Sequence, residues 1–277
     1  MLLQETKHQT APCQLQSRYG MCMCSMVVVW YHTTTTFGTN HHTTPKCAMR
    51  FLITTLVMVA LLFLSRLIEL QALTYYYFAL GSNVDPSTMM SLRNLSPRRA
   101  QPAVLPGYRL AFNVKGNSWI EPSACSALKS RKYPNDTIHG VLYELARADF
   151  LSLSFSEGVP LAYRWESCHV YPYQGDADAA GARAMESGAK PVQAYVLAAQ
   201  TLRPNVFIAP SPSYLRIIKD GAAFWKLDKS FQDELAAIPT AKNLLIPDGV
   251  SGQLLDRAKA FNPRSAEKQK LYLSQYE

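Results

Sequence analysis

The sequence predicts an α+β fold: a small mixed β-sheet or barrel with flanking helices, preceded by a disordered N-terminal segment and a hydrophobic helix. Three observations point there. Aromatic or alternating strand segments dominate the chain just after residue 73, helical segments come late and singly, and no βαβαβ alternation or GxGxxG follows a strand. The last of these argues against a doubly wound dinucleotide-binding sheet. The 277 residues are 48% apolar and 17% charged, an ordinary globular composition. Six cysteines in a chain this long do not make a disulfide scaffold. No apolar run approaches the ~20 residues of repeated membrane helices, so a polytopic membrane protein is excluded.

Residues 1–48 hold Thr33–Thr36, His41-His42 and Thr43-Thr44 without a sustained period, and read as disordered or as a spurious extension. Met26–Trp30 alone has strand character. Cys22, Cys24, Cys47 and the His pair match no zinc spacing, and no metal is expected. Residues 49–72 run from Met49-Arg50 through the apolar stretch Phe51–Ser65 to Arg66. A 15-residue helix rises ~22 Å, short of a ~30 Å hydrocarbon core. The order of basic start, apolar block and polar end has the shape of a signal peptide that begins at Met49, or of a signal-anchor. This implies a secretory route or an organelle, or membrane anchoring with contact through 51–65. Asn135-Asp136-Thr137 is then a glycan acceptor sequence.

A folded domain is expected over 73–240, and a peripheral helical tail over 241–277, broken at Pro263. Thr74–Ala79 (TYYYFA) is aromatic and reads as a strand ending in the Gly81-Ser82-Asn83 turn. Asp85-Pro86 can open a short helix. Gly107–Val114, Ile138–Leu145, Ser167–Tyr173 and Val192–Ala199 read as further strands. Arg147–Ser156 reads as a helix, as does Pro212–Asp220, with Ser211 as N-cap, Pro212 first and Gly221 just past the end. Phe231–Ile238 is a third helix.

The net charge of +8 is uneven: Lys7, Arg18, Lys46, Arg50 and Arg66 face only Glu5 in the first 66 residues, and the rest is mildly basic. No basic stripe carries interleaved aromatics, so nucleic acid is not an expected partner. GxSxG, GxxxxGK[ST] and HExxH are absent. Cys168 and His169 point to opposite faces of a strand and cannot pair as nucleophile and base. His139 reads as an ordinary edge-strand residue.

One acid stands out by position. Phe150, Leu153, Ser154 and Glu157 recur at i, i+3, i+4 and i+7, so Glu157 falls on the core-facing stripe at the end of a helix closed by Gly158. Partial burial and the negative end of the helix dipole both favour the neutral acid there. A carboxylate so placed suits proton transfer. The second feature is Tyr77–Asn83 (YFALGSN), a strand running into a turn whose glycine and successive N–H groups can receive an anion.

YFALGSN resembles the YFAYGSN signature of the gamma-glutamylcyclotransferase family. A GVLYEL strand, a helix ending in Glu157-Gly158, and PSPSY at Pro210–Tyr214 follow in the family's order, over about residues 75–225. Phe112–Pro122 resembles one branch of the family, with Glu121 read as structural. The resemblance implies a barrel-like mixed sheet, Glu157 as the catalytic acid/base, and a substrate site formed by Tyr77, Phe78, Ala79, Leu80, Gly81, Ser82, Asn83 and Tyr214. Leu80 stands where the family usually has Tyr and removes one hydroxyl. The implied reaction is attack of a γ-glutamyl α-amine on its own γ-carbonyl, giving 5-oxoproline and a free amino acid or amine. It needs no metal, redox cofactor or covalent nucleophile. The partner implied is a small γ-glutamyl compound. A γ-glutamylamine- or glutathione-specific cyclotransferase, and a non-enzymatic ligand-binding module of the same fold, are the alternatives. Leaving group, compartment and oligomeric state stay open at this level.

Overall fold

The computed structural model describes residues 45–130, 135–176 and 178–261. The expectations for residues 1–44 and for the break at Pro263 lie outside them. The chain divides into two units at residues 61 and 62. Helix α1 (Pro45–Ala72) is 28 residues long and begins four residues before Met49, so 45–48 are helical rather than disordered. Its side chains from Leu52 to Ser65 are exposed. Among the described residues no helix is long and apolar enough to cross a membrane, so the transmembrane reading of 51–65 finds no support.

In the second unit five strands close a barrel in the order β1–β5–β2–β6–β7, with β7 returning to β1. These are β1 (Thr74–Ala79), β2 (Arg99–Pro106), β5 (Thr137–Ala146), β6 (Tyr163–Pro172) and β7 (Val192–Ala199). All pairings are antiparallel except β1–β7, where Tyr77 and Phe78 run parallel to Tyr195 and Val196. Strands β3 (Tyr108–Asn117) and β4 (Glu121–Lys129) form a separate antiparallel hairpin. Helices α2 (Arg147–Ser156), α3 (Ala180–Glu186), α4 (Pro212–Phe224), α5 (Lys229–Ala237) and α6 (Ser251–Phe261) complete the unit.

β5 is paired on both sides and buried from Ile138 to Tyr143, a run apolar except for His139. His139 therefore sits on a central strand, not an edge. It is 6% exposed, with Nδ1 2.9 Å from the Tyr173 hydroxyl and 3.9 Å from Asp228. The helix expected at Asp85-Pro86 is a 3-10 turn (Ser82–Val84) followed by a π-helical turn (Thr88–Leu92). The helix expected at Pro212–Asp220 runs on to Phe224. Gly221 lies inside it because helix and loop touch there: a Cβ would come within 2.7 Å of the Asp85 amide nitrogen. The Trp225 indole donates to the Val84 carbonyl (2.9 Å) at the same seam. Helix α4 thus braces the turn that follows β1.

At Gly140 the barrel wall is equally tight. A Cβ would sit 2.1 Å from the Ala79 carbonyl oxygen and 2.9 Å from the Phe78 ring. Gly140→Ala is expected to lower stability by about 2–3 kcal/mol through overpacking. Urea denaturation checks this, as a lower midpoint at unchanged slope.

Candidate functional site

Glu157 is the C-cap of α2. Its N–H donates to the Leu153 carbonyl (2.9 Å), and Gly158 follows with a φ of +69°, a left-handed conformation that glycine adopts without strain. Phe150 and Leu153 are buried and fix the helix on its core face. Phe150 stacks on Tyr75 (centroids 4.5 Å apart) and on Trp165 (4.7 Å), which meets the Tyr77 ring edge-on at 5.6 Å. An aromatic tier therefore links the helix that carries Glu157 to β1.

Glu157, Tyr77, Leu80, Gly81, Ser82, Asn83 and Tyr214 line one cavity, with Cys125, Tyr163 and Leu197 completing it. Phe78 and Ala79 do not line it. Both are fully buried in the barrel core and hold the strand in place. The cavity volume is about 20 Å³, room for about one water molecule. Its polar groups converge. Asn83 Nδ2 donates to Glu157 Oε1 and to the Tyr77 hydroxyl, both at 2.9 Å. Arg93 Nη2 lies 2.7 Å from the same Glu157 oxygen, and Arg93 Nη1 donates to the Ser156 carbonyl (3.1 Å). Glu157 Oε2 has no protein partner among the described residues. Asn83 Oδ1 is buried and also unpartnered, an acceptor left open beside the carboxylate.

The opposite wall is neutral. Ser211 caps α4, its Oγ accepting the Tyr214 N–H (3.1 Å), and this sets Tyr214 in the first turn. The Tyr214 hydroxyl accepts the Cys125 N–H (3.3 Å) and lies 3.3 Å from its Sγ, while the Tyr163 hydroxyl donates to the Cys125 carbonyl (2.9 Å). Burial, with Glu157 adding to it, pushes the Tyr77 and Tyr163 phenols well above their ordinary range. Burial does the same to Tyr214. Burial pushes the Cys125 thiol up to about 12. Gly81 is pinned beneath them: a Cβ would fall 2.7 Å from Cys125 Sγ and 3.1 Å from the Tyr214 hydroxyl. Glu121 stands apart from the cavity, its Oε2 accepting the Ser251 hydroxyl at 2.5 Å.

Sequence reasoning did not find Arg93, Cys125 or Tyr163. Arg93 lies in an irregular segment, and only folding brings it to Glu157. Cys125 sits in EPSACSALK, where small residues hide the strand. Tyr163 begins β6 four residues before the strand expected at Ser167, and its alternation offered a signal. A larger cavity lies elsewhere, at about 860 Å³, lined by Arg109, Lys129, Arg164 and Glu166 among others. Glu166 there is occupied by the Tyr108 hydroxyl (2.7 Å) and Arg164 (3.2 Å). The small cavity is the stronger candidate site: there Glu157 keeps one unpartnered oxygen beside Asn83 Oδ1, which is also unpartnered.

No family model matches the chain. A curated gamma-glutamyl cyclotransferase of Aspergillus oryzae is 27% identical over 109 residues, which cover 36% of this chain and 40% of that protein. The chain thus spans less than half the length of that relative. Among solved structures, an uncharacterised human protein aligns with a TM-score of 0.51 at 24% identity, over 67% of this chain and 98% of its own. It has the same barrel fold. A gamma-glutamyl cyclotransferase aligns with a TM-score of 0.49 at 22% identity, over 68% of this chain and 99% of its own. The resemblance to gamma-glutamylcyclotransferases read from the motifs stands.

A thiol at about 12 is almost wholly protonated at pH 8, with ~10⁻⁴ of it as the reactive thiolate. Iodoacetamide at that pH is expected to leave Cys125 unmodified in the native protein and to alkylate it in denaturant. Peptide mass spectrometry reads the two states.

Proposed function

We propose that this chain is a gamma-glutamylcyclotransferase-like enzyme that closes a γ-glutamyl group to 5-oxoproline and releases an amino acid or amine. One observation carries the reading: Glu157 presents an open carboxylate oxygen to a cavity that also borders the Gly81-Ser82 turn. The N–H groups of Gly81 and Ser82 find no acceptor among the described residues.

The substrate amine arrives as an ammonium and has no lone pair. Glu157 Oε2 takes its proton, and the freed nitrogen attacks the γ-carbonyl of the same molecule. The new C–N bond forms as the carbonyl electrons move to oxygen. The turn N–H groups are the donors available to that oxyanion. When the intermediate collapses, the original γ C–N bond breaks, and Glu157 returns its proton to the departing nitrogen. The ring nitrogen still holds two protons; it gives one back to the Glu157 carboxylate, which passes it to the released amine. 5-Oxoproline thus leaves with one ring N–H, the amine leaves as an ammonium, and atoms and charge balance with no further reactant. Nucleophile and electrophile share one molecule, so the protein's main task is to fold the chain into attack distance. A γ-glutamyl group is larger than one water, so binding requires the walls of the cavity to part.

The wall opposite Glu157 bears on binding. Removing the Tyr214 hydroxyl leaves the buried Cys125 N–H without its acceptor, a loss of about 1–3 kcal/mol. Tyr214→Phe is therefore expected to raise KM and lower the melting temperature together, and an unchanged KM would count against a substrate contact.

Full-length protein with γ-glutamyl-amino acids, γ-glutamylamines and glutathione, assayed for 5-oxoproline, tests activity and leaving group at once. Glu157→Gln keeps the shape and an acceptor for Asn83 and Arg93. It is expected to cut 5-oxoproline release by about 10²–10⁴-fold with the fold intact. Turnover close to wild type in that variant would sink the mechanism. Ligand binding without turnover in the wild type would favour the binding-module alternative.

A further inference from the structure

We propose that Arg93 is the positioning residue of this site: it fixes Glu157 Oε1 and thereby confines proton exchange to Oε2. The proposal rests on the reading of Glu157 as the acid/base. Arg93 follows directly on the π-helical turn Thr88–Leu92, and its own N–H closes that turn on the Thr88 carbonyl (2.9 Å). Such turns are uncommon and gather at functional sites. This one is held from both ends. Asp85 Oδ2 accepts the Thr88 N–H (2.8 Å) and hydroxyl (3.1 Å), and the Leu95 N–H reaches the Met89 carbonyl (3.0 Å). Met89 and Met90 are buried beneath it. The backbone at Arg93 is therefore set before any ligand arrives.

From there one guanidinium grips two points on α2, the Ser156 carbonyl through Nη1 and the Glu157 carboxylate through Nη2. The first is a terminal helix carbonyl, which needs an outside donor. The second shares Oε1 with Asn83, so both donors converge on one oxygen and neither on the other. A fork of this shape suits arginine and not lysine, whose ammonium is a single point. The side chain is mostly buried, and its Nε lacks an acceptor, an incomplete satisfaction that a purely structural clamp has little reason to keep.

The charge matters as well as the shape. The titratable groups facing Glu157 from the other elements are Tyr77 on β1, Cys125 on β4, Tyr163 on β6 and Tyr214 on α4. Burial keeps all four protonated and neutral near neutral pH. Arg93 is the only charge paired with Glu157 among the described residues. Its guanidinium stands 2.7 Å from Oε1, so the ion pair orients the carboxylate and leaves the other oxygen without a partner.

Two measurements on the full chain test this. The first follows the Glu157 carboxyl carbon-13 resonance at fixed pH, assigned with Glu157→Gln. Arg93→Gln, which removes the guanidinium from Oε1, is expected to displace that resonance, and Arg93→Lys to displace it less. The second is turnover. Arg93→Gln is expected to lose about tenfold to a hundredfold in kcat with KM little changed, and Arg93→Lys to lose kcat while keeping the wild-type pH profile. Free guanidinium is expected to restore part of the kcat of Arg93→Ala. Superimposable Glu157 resonances in wild type and Arg93→Gln, or a KM effect at unchanged kcat, overturn the proposal. A resonance displaced in Arg93→Gln, in a protein whose wild type releases no 5-oxoproline, sustains the hold of Arg93 on Glu157 and refutes the reaction. Should Arg93→Gln fail to fold, Arg93→Lys carries the test: full kcat in that variant refutes the fork.

Discussion

A carboxylate is expensive to bury, and an ion pair repays that loss only when the geometry is good and the remaining lone pairs are met. At Glu157 the compensation is one-sided. Arg93 and Asn83 both bind Oε1 of this cavity-lining residue, while Oε2 has no partner among the described residues. Much of the second unit's architecture serves that asymmetry. β1 delivers Asn83 just past its end. The π-helical turn delivers Arg93. Helix α2 delivers the acid in its last turn, with Gly158 turning the chain away so that the carboxylate is not displaced by the helix continuing.

The barrel supplies the rigidity this requires. β1 is paired antiparallel with β5 and parallel with β7, so it has no free edge where the loop after it begins. Helix α4 closes on that loop so tightly that a glycine, Gly221, stands at the crossing, and the Trp225 indole ties it to Val84. The close approaches at Gly140, Gly81 and Gly221 all lie around one short segment, residues 78–85. Close packing of this kind tolerates little added volume. The loop is thus held by close approaches from β5 and α4 to its backbone, and by the Cys125 and Tyr214 side chains against Gly81.

Legibility in the sequence followed how local each signal was. β1, β5, β7 and α2 announce themselves through aromatic runs, a mostly apolar stretch or a 3.6-residue stripe, and they lie where the pattern puts them. β2 was invisible because RAQPAVLP carries two prolines, which usually argue against a paired strand. The fold accepts Pro102 there, its carbonyl still accepting the Tyr173 N–H (2.9 Å). β4 was invisible because serine, alanine and cysteine have little strand preference of their own. His139 was misplaced for a related reason: only the unseen β2 makes β5 central. Of the site, Glu157, Tyr77, Gly81, Ser82, Asn83 and Tyr214 were named from motif and spacing and meet at one cavity. Phe78 and Ala79 were named with them, yet both are fully buried, the Phe78 ring and the Ala79 carbonyl packed against Gly140 of β5. Arg93 could not be read at all, because its role exists only once two segments 63 residues apart are brought together.

The neutral side of the cavity completes the argument. Three tyrosines and a cysteine surround the acid, and a reader of side-chain chemistry could assign a proton or a nucleophile to any of them. Burial removes that choice. Each phenol is pushed above its ordinary range and the Cys125 thiol is pushed up to about 12, so near neutral pH none of them ionises. They remain hydrogen-bonding groups, and Tyr214, Tyr163 and Cys125 spend that capacity on one another. Keeping them neutral has a second effect. Among the described residues lining the cavity, no further carboxylate stands near Glu157 to weaken its pair with Arg93. The cavity thus holds one carboxylate with one unpartnered oxygen, and burial keeps its phenols and thiol from adding charge beside it.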